Sequence, residues 1–182
     1  HVRGATLASP RSRQEGVPIW WRVGRSCAVS ACGGGKGGGE GVGLAASGSE
    51  VGLRLKNTVP PGSTIASLVV GAIPYRSELV TIDLLGLTDR EVARNGNVYA
   101  AGHPGHQRYH TEYILGRRPD YIVYHSSGRF TEPRNEDSAS IPKPFGYALY
   151  DLANNPGTKE LYEYRALRME NGRFVELLQL RE

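Results

Sequence analysis

Between Thr64 and Val123, short apolar runs alternate with polar turns and one helical pattern, and this alternation restricts the possible folds more than any other feature of the chain. Leu68–Ile73 and Val80–Leu85 are short and rich in β-branched residues, so they read as buried strands. GAIPYRS closes the first and GLTDRE follows the second. A third run, Tyr121–His125, follows a helical pattern over Gln107–Arg118 that Pro119 ends. Strand, turn and helix in alternation imply parallel strands in an α/β layer. Leu161–Met169 and Arg173–Leu180 flank Asn171-Gly172, a strong hairpin signal, and read as two antiparallel strands at the sheet's edge. The expected fold is therefore a small α/β domain of two or three layers. Its short parallel sheet is extended by a C-terminal antiparallel hairpin.

Charge and glycine divide the chain near Leu53–Asn57. The formal charge of +4 splits into +5 over residues 1–57 and −1 over the remainder. Of 24 glycines, 13 lie in the first 57 residues, whereas all 10 tyrosines lie after them. Residues 1–52 show no hydrophobic period and read as a disordered Gly/Arg/Ser-rich segment, with 53–182 as the folded domain. The folded part has no cationic excess, so nothing points to nucleic acid.

The run GGGKGGGEGVG does not make a phosphate-binding loop. That pattern needs Gly, four residues, then Gly-Lys-Ser/Thr. Here Gly37 follows Gly35-Lys36, and Ser30 stands where the first Gly belongs. Cys27 and Cys32 match no common zinc spacing. No apolar run approaches the roughly 20 residues that span a bilayer, and the N-terminus lacks a signal peptide's apolar centre. As given, the chain reads as soluble.

In parallel sheets, functional side chains gather at the carboxyl ends of the strands. Tyr75 is expected there, as are Asp83, which interrupts an apolar run, and Asp89. A carboxylate such as Asp83 caps a turn or serves a site, and the sequence leaves both open. Thr88 and Glu91 fit the N-cap and N3 positions of a capping box, with Asp89 in the first turn. His103, His106 and His110 have a spacing that suits zinc on a helical face, but Pro104-Gly105 breaks any such helix. The preferred role is a hydrogen-bonding His106 at a helix start, reaching Asp83 or Asp89. Residues 126–144 read as a long polar loop, and Phe145–Leu152 as a short helix.

GAIPY, IDLLGLTDREVAR, PGH and RRPDYIV together carry a resemblance over about residues 53–182. In that order they resemble the C-terminal extracytoplasmic domain of bacterial polytopic glycosyltransferases that use lipid-phosphate sugars. The mannosyltransferase-like and arabinofuranosyltransferase-like groups are the nearest in kind. Matching positions are Tyr75, Asp83, Gly86, Leu87, Asp89, His106, Pro119 and Asp120. The resemblance implies a domain on the outer face of the cell membrane, not catalytic alone and without a cofactor. It would hold acceptor glycan or lipid-linked sugar through Tyr75, Asp83, Asp89, His106 and Asp120. Transfer would fall to a membrane portion of the parent enzyme. The sequence departs from the family in its Gly-rich start, where the family has a membrane helix, and in His103. Two other readings remain: a small metal-dependent hydrolase using Asp83, Asp89, His103 and His106, and a purely structural domain.

Overall fold

The computed structural model describes residues 39–133, 141 and 143–182, without the side chains of 39–44 and 125–130. Residues 1–38, with Cys27 and Cys32, lie outside the described residues, as do residues 134–140 and 142 of the loop expected before Lys143. Five strands form the main sheet in the order β2 (Val80–Asp83), β1 (Thr64–Ser67), β5 (Tyr121–Phe130), β7 (Phe174–Leu180), β6 (Tyr162–Arg168). The first three are parallel, and the hairpin β6–β7 adds antiparallel strands at the β5 edge. The turn that joins the hairpin holds Gly172 at φ +78, a left-handed conformation that glycine adopts without strain.

Alternating strand residues face two cores, as the twofold period of a strand requires. Ile65, Val123 and Leu177 pack with Val51, Leu55 and Ile73, on the side of α1 (Gly39–Lys56) and α2 (Ala72–Ser77). Ala66, Ile122 and Leu178 pack on the opposite side. Their partners there are Val92 of α3 (Arg90–Asn95), Ile114 of α4 (Thr111–Arg117) and Leu149 and Leu152 of α5 (Lys143–Asn154). The domain thus has three layers, helices on both faces of one sheet. A short helix, α6 (Pro156–Leu161), leads into β6, capped by Asn155, whose side chain accepts from the Gly157 amide at 2.8 Å.

Several elements differ from the sequence reading. The boundary expected near Leu53–Asn57 falls inside α1, which is helical from Gly39 and buries Val51 and Leu55 completely. Two of its glycines serve close packing. A Cβ at Gly52 would lie 2.6 Å from the Ile73 carbonyl oxygen, and one at Gly48 would lie 3.1 Å from Ala72 Cβ. The first strand is Thr64–Ser67, because the Pro61-Gly62 turn releases the chain directly into it. Leu68–Ile73 is instead the exit from that strand and the first turn of α2. The third strand continues to Phe130, into the stretch read as loop. The helical pattern over Gln107–Arg118 is interrupted. Arg108–Tyr109 forms β4, paired antiparallel with β3 (Asn97–Val98), and only Thr111–Arg117 is helical.

Two predictions follow from this packing. A chain trimmed to begin at residue 53 loses Val51 and the Gly48–Gly52 contact with α2. It should unfold at clearly lower urea than one trimmed to begin at residue 39. Equal midpoints would mean that α1 contributes nothing before Leu53. The second concerns Tyr162, whose hydroxyl donates to the Pro119 carbonyl at 3.0 Å. Burial pushes it from 10.0 up to about 12. Its folded value lies above its unfolded one, so its contribution is complete below pH 10.0 and is lost as pH rises through about 12. Across that window Tyr162→Phe should lose less stability than the wild type in pH-dependent melting.

Candidate functional site

Asp83 ends β2 and is 1% exposed. Its Oδ1 accepts from the Leu85 amide at 2.8 Å, and Oδ2 accepts from the Thr88 amide at 2.5 Å and the Thr88 hydroxyl at 3.2 Å. Three donors converge on one buried carboxylate, which satisfies it and fixes the Leu84–Thr88 turn. Gly86 occupies that turn at φ +75, where a Cβ would lie 2.6 Å from the Ala93 amide nitrogen. The turn therefore sits directly on α3.

This turn delivers Asp89. It is the N-cap of α3, one residue later than the capping-box reading places it, because Thr88 is held by Asp83. Asp89 Oδ1 accepts from the amides of Glu91 at 2.9 Å and Val92 at 3.2 Å. Its Oδ2 accepts from the Tyr113 hydroxyl at 3.1 Å, which itself accepts from Arg117 Nη1 at 2.8 Å. Burial, and then the hydrogen bond to Asp89, raise the Tyr113 pKa, with Arg117 opposing. The group opens onto a cleft of about 570 Å³ lined by Thr88, Asp89, Arg90, Arg94, Asn95 and Tyr113. Its walls offer carboxylate and hydroxyl acceptors and guanidinium donors, which suit a polyhydroxylated ligand.

A second surface adjoins the first through β4, which touches both α3 and α5. Tyr99 and Tyr147 stack with ring centroids 3.9 Å apart and planes 6° apart, and Tyr109 meets Tyr147 edge-on at 5.0 Å. Burial, and then Asp151, raise the Tyr147 pKa. His103 stacks on Phe145 at 4.8 Å, and Phe145 is 52% exposed. Two hydrogen bonds tie the loop between β3 and β4 to the start of α5. The His103 amide donates to the Pro144 carbonyl at 2.7 Å, and His106 Nδ1 donates to the Phe145 carbonyl at 3.0 Å. A carbonyl only accepts, so this contact sets the His106 tautomer. The result is a half-exposed aromatic platform beside a polar cleft.

The five residues singled out from sequence are divided by the fold. Asp83 and Asp89 adjoin one another through Thr88. His106 belongs to the platform, and its ring nitrogen meets Phe145 instead of either carboxylate, because the β3–β4 ribbon carries its loop to α5. Tyr75 is 81% exposed on α2, in the opposite helical layer. Asp120 lies at the amino end of β5, where its Oδ2 accepts from the Thr64 amide at 2.7 Å and the Thr64 hydroxyl at 2.9 Å. It is thus at the opposite end of the parallel strands from Asp83. Among the described residues, no three His, Cys, Asp or Glu side chains come together as a metal-ligand group. His110, the third histidine of the spacing, accepts from the Tyr113 amide at 3.4 Å as the N-cap of α4. The set Asp83, Asp89, His103 and His106 weighed for a hydrolase is therefore not assembled.

Sequence reasoning missed Tyr113, Arg117, Tyr99, Tyr147 and Phe145 as site residues. The concentration of tyrosines after residue 57 was the available signal. Their pairing across 48 positions, Tyr99 with Tyr147, is a tertiary fact.

Asp83→Asn keeps the shape but replaces one acceptor oxygen with a donor amide. It should destabilise the domain by about 1–3 kcal/mol, through amides left without an acceptor. Urea unfolding with no loss would show that the turn holds without this carboxylate.

Comparison with known proteins supplies one match. No curated protein and no solved structure matches the chain. The family described as a domain of unknown function (DUF8728) matches residues 40–174, from the first turn of α1 to the start of β7. Because this match covers most of the chain, the protein belongs to the DUF8728 family.

Proposed function

We propose that the folded domain is a saccharide-binding accessory domain of a membrane glycosyltransferase. It would hold acceptor glycan or the sugar of a lipid-linked donor, without catalysing transfer itself. The observation that carries this reading is the adjacency of the Asp89–Tyr113–Arg117 group to a half-exposed platform of aromatic rings. Sugars present hydroxyls, which carboxylate and guanidinium groups bind. They also present apolar C–H faces, which lie on aromatic rings. The described residues contain no helix long and apolar enough to cross a membrane. In this reading, membrane crossing and transfer chemistry belong to another part of the parent enzyme, and the domain works at the extracytoplasmic face. Asp83 takes a structural part, since it is 1% exposed and does not line the cleft, whereas Asp89 does.

The test is titration of the domain with mannose-containing and arabinofuranose-containing oligosaccharides, and with polyprenyl-phosphate mannose in detergent. Asp89→Asn retains an N-cap residue, and Phe145→Ala alters a half-exposed ring, so both variants should fold. Each should weaken binding by roughly tenfold or more, the scale of one hydrogen bond to a charged group or one aromatic contact. Absence of saturable binding to all of these ligands, with the wild type folded, would overturn the reading.

A further inference from the structure

We propose that a cavity beneath α6 is a binding site for a small organic carboxylate. It lies between α6 and the face of β5, β7 and β6, has a volume of about 90 Å³, and shares no lining residue with the Asp89 cleft. Its apolar floor is Tyr124, Ala153 and Leu178, all buried. Two cations, Lys159 and Arg181, line its rim, and no carboxylate lines it.

Thr158 supplies the independent sign of a ligand. It is 2% exposed and lines the cavity, and among the described residues its hydroxyl has no hydrogen-bond partner. Buried hydroxyls are ordinarily paired, and an unpaired one facing an empty volume calls for an acceptor there. Arg181 is already oriented. Its Nε donates to the Tyr162 carbonyl at 3.1 Å, which leaves the two terminal nitrogens of the guanidinium for a partner.

Size and chemistry together narrow the ligand. The volume of about 90 Å³ holds more than one water and admits a short acid of three or four carbons. Water alone would satisfy Thr158 but would make no use of the apolar floor or of the two cations at the rim. A short acid meets all three features. Its carboxylate lies between Lys159 and Arg181, its stem rests on Tyr124 and Leu178, and an oxygen accepts from Thr158. Inorganic phosphate matches the cations but not the floor.

The experiment is thermal melting and calorimetric titration of the full chain with butyrate, lactate, inorganic phosphate and chloride at constant ionic strength. Butyrate or lactate should raise the melting temperature saturably, and phosphate and chloride should not. Thr158→Val removes the hydroxyl with little change in shape. It should fold, melt no lower than the wild type without ligand, and bind the acid about tenfold or more weakly. Lys159→Gln should weaken binding to a similar degree, and Glu160→Gln should leave it unchanged. No saturable shift with either acid, an equal shift with chloride or phosphate, or full binding by Thr158→Val would each overturn the proposal. Saccharide titration of Thr158→Val should match the wild type, so this site and the aromatic platform stand or fall separately.

Discussion

The register of β1 against β5 is the constraint on which both cores depend. β1 has four residues, is paired in parallel on both edges, and sends Ile65 to one helical layer and Ala66 to the other. A slip of one position would exchange those faces. Asp120 opposes the slip. Its carboxylate takes both the amide and the hydroxyl of Thr64, and its own amide donates back to Thr64 Oγ1 at 3.1 Å. This reciprocal pair spans 56 positions of sequence and fixes where β5 starts beside β1. At the far end of the parallel strands, Asp83 closes the exit of β2, and the Leu84 amide extends the ladder to the Ser67 carbonyl. Two acidic side chains expected to meet a ligand thus bracket the parallel strands.

What could be read from sequence followed the range of the interactions involved. The hairpin around Asn171-Gly172 was legible because turn chemistry and alternation lie within a few residues of each other. The parallel α/β core was legible from its short apolar runs, although Thr64–Ser67, only four residues with two small ones, gave its pattern to the neighbouring Leu68–Ile73. Of helix α1, only the end near Leu53–Asn57, stopped by Pro60-Pro61, was legible. Glycine count argued for disorder, yet Gly48 and Gly52, four apart, lie on the face where α2 approaches. Composition measures the helix-forming cost of glycine and is blind to the packing that offsets it. Asp83 illustrates the same limit at a site, since chemistry marked it as unusual and only the fold shows its three donors. The aromatic platform was invisible because its members come from a loop, a two-residue strand and a helix.

The fold also distributes polar groups unevenly between its faces. The layer of α1 and α2 encloses a core of buried aliphatic residues and Met169, with half-buried Tyr121 as its tyrosine. The opposite layer includes buried or half-buried Tyr124, Tyr162 and Tyr164. It also holds Glu176, which is fully buried and accepts from the Tyr164 hydroxyl at 2.5 Å. Both candidate binding regions lie on this second side, one around α3 and α5, the other beneath α6. A layer built with hydroxyls and rings can vary its lining without disturbing the aliphatic layer behind the sheet.

The glycine face of α1 has a mechanical meaning. At Gly52 no side chain separates the helix from the α2 backbone, so the two helices have no compressible layer between them. Gly71, which precedes α2, connects directly to the residues leaving β1. The helix pair is therefore joined backbone to backbone at Gly52, and through Gly71 it leads back to the carboxyl end of β1.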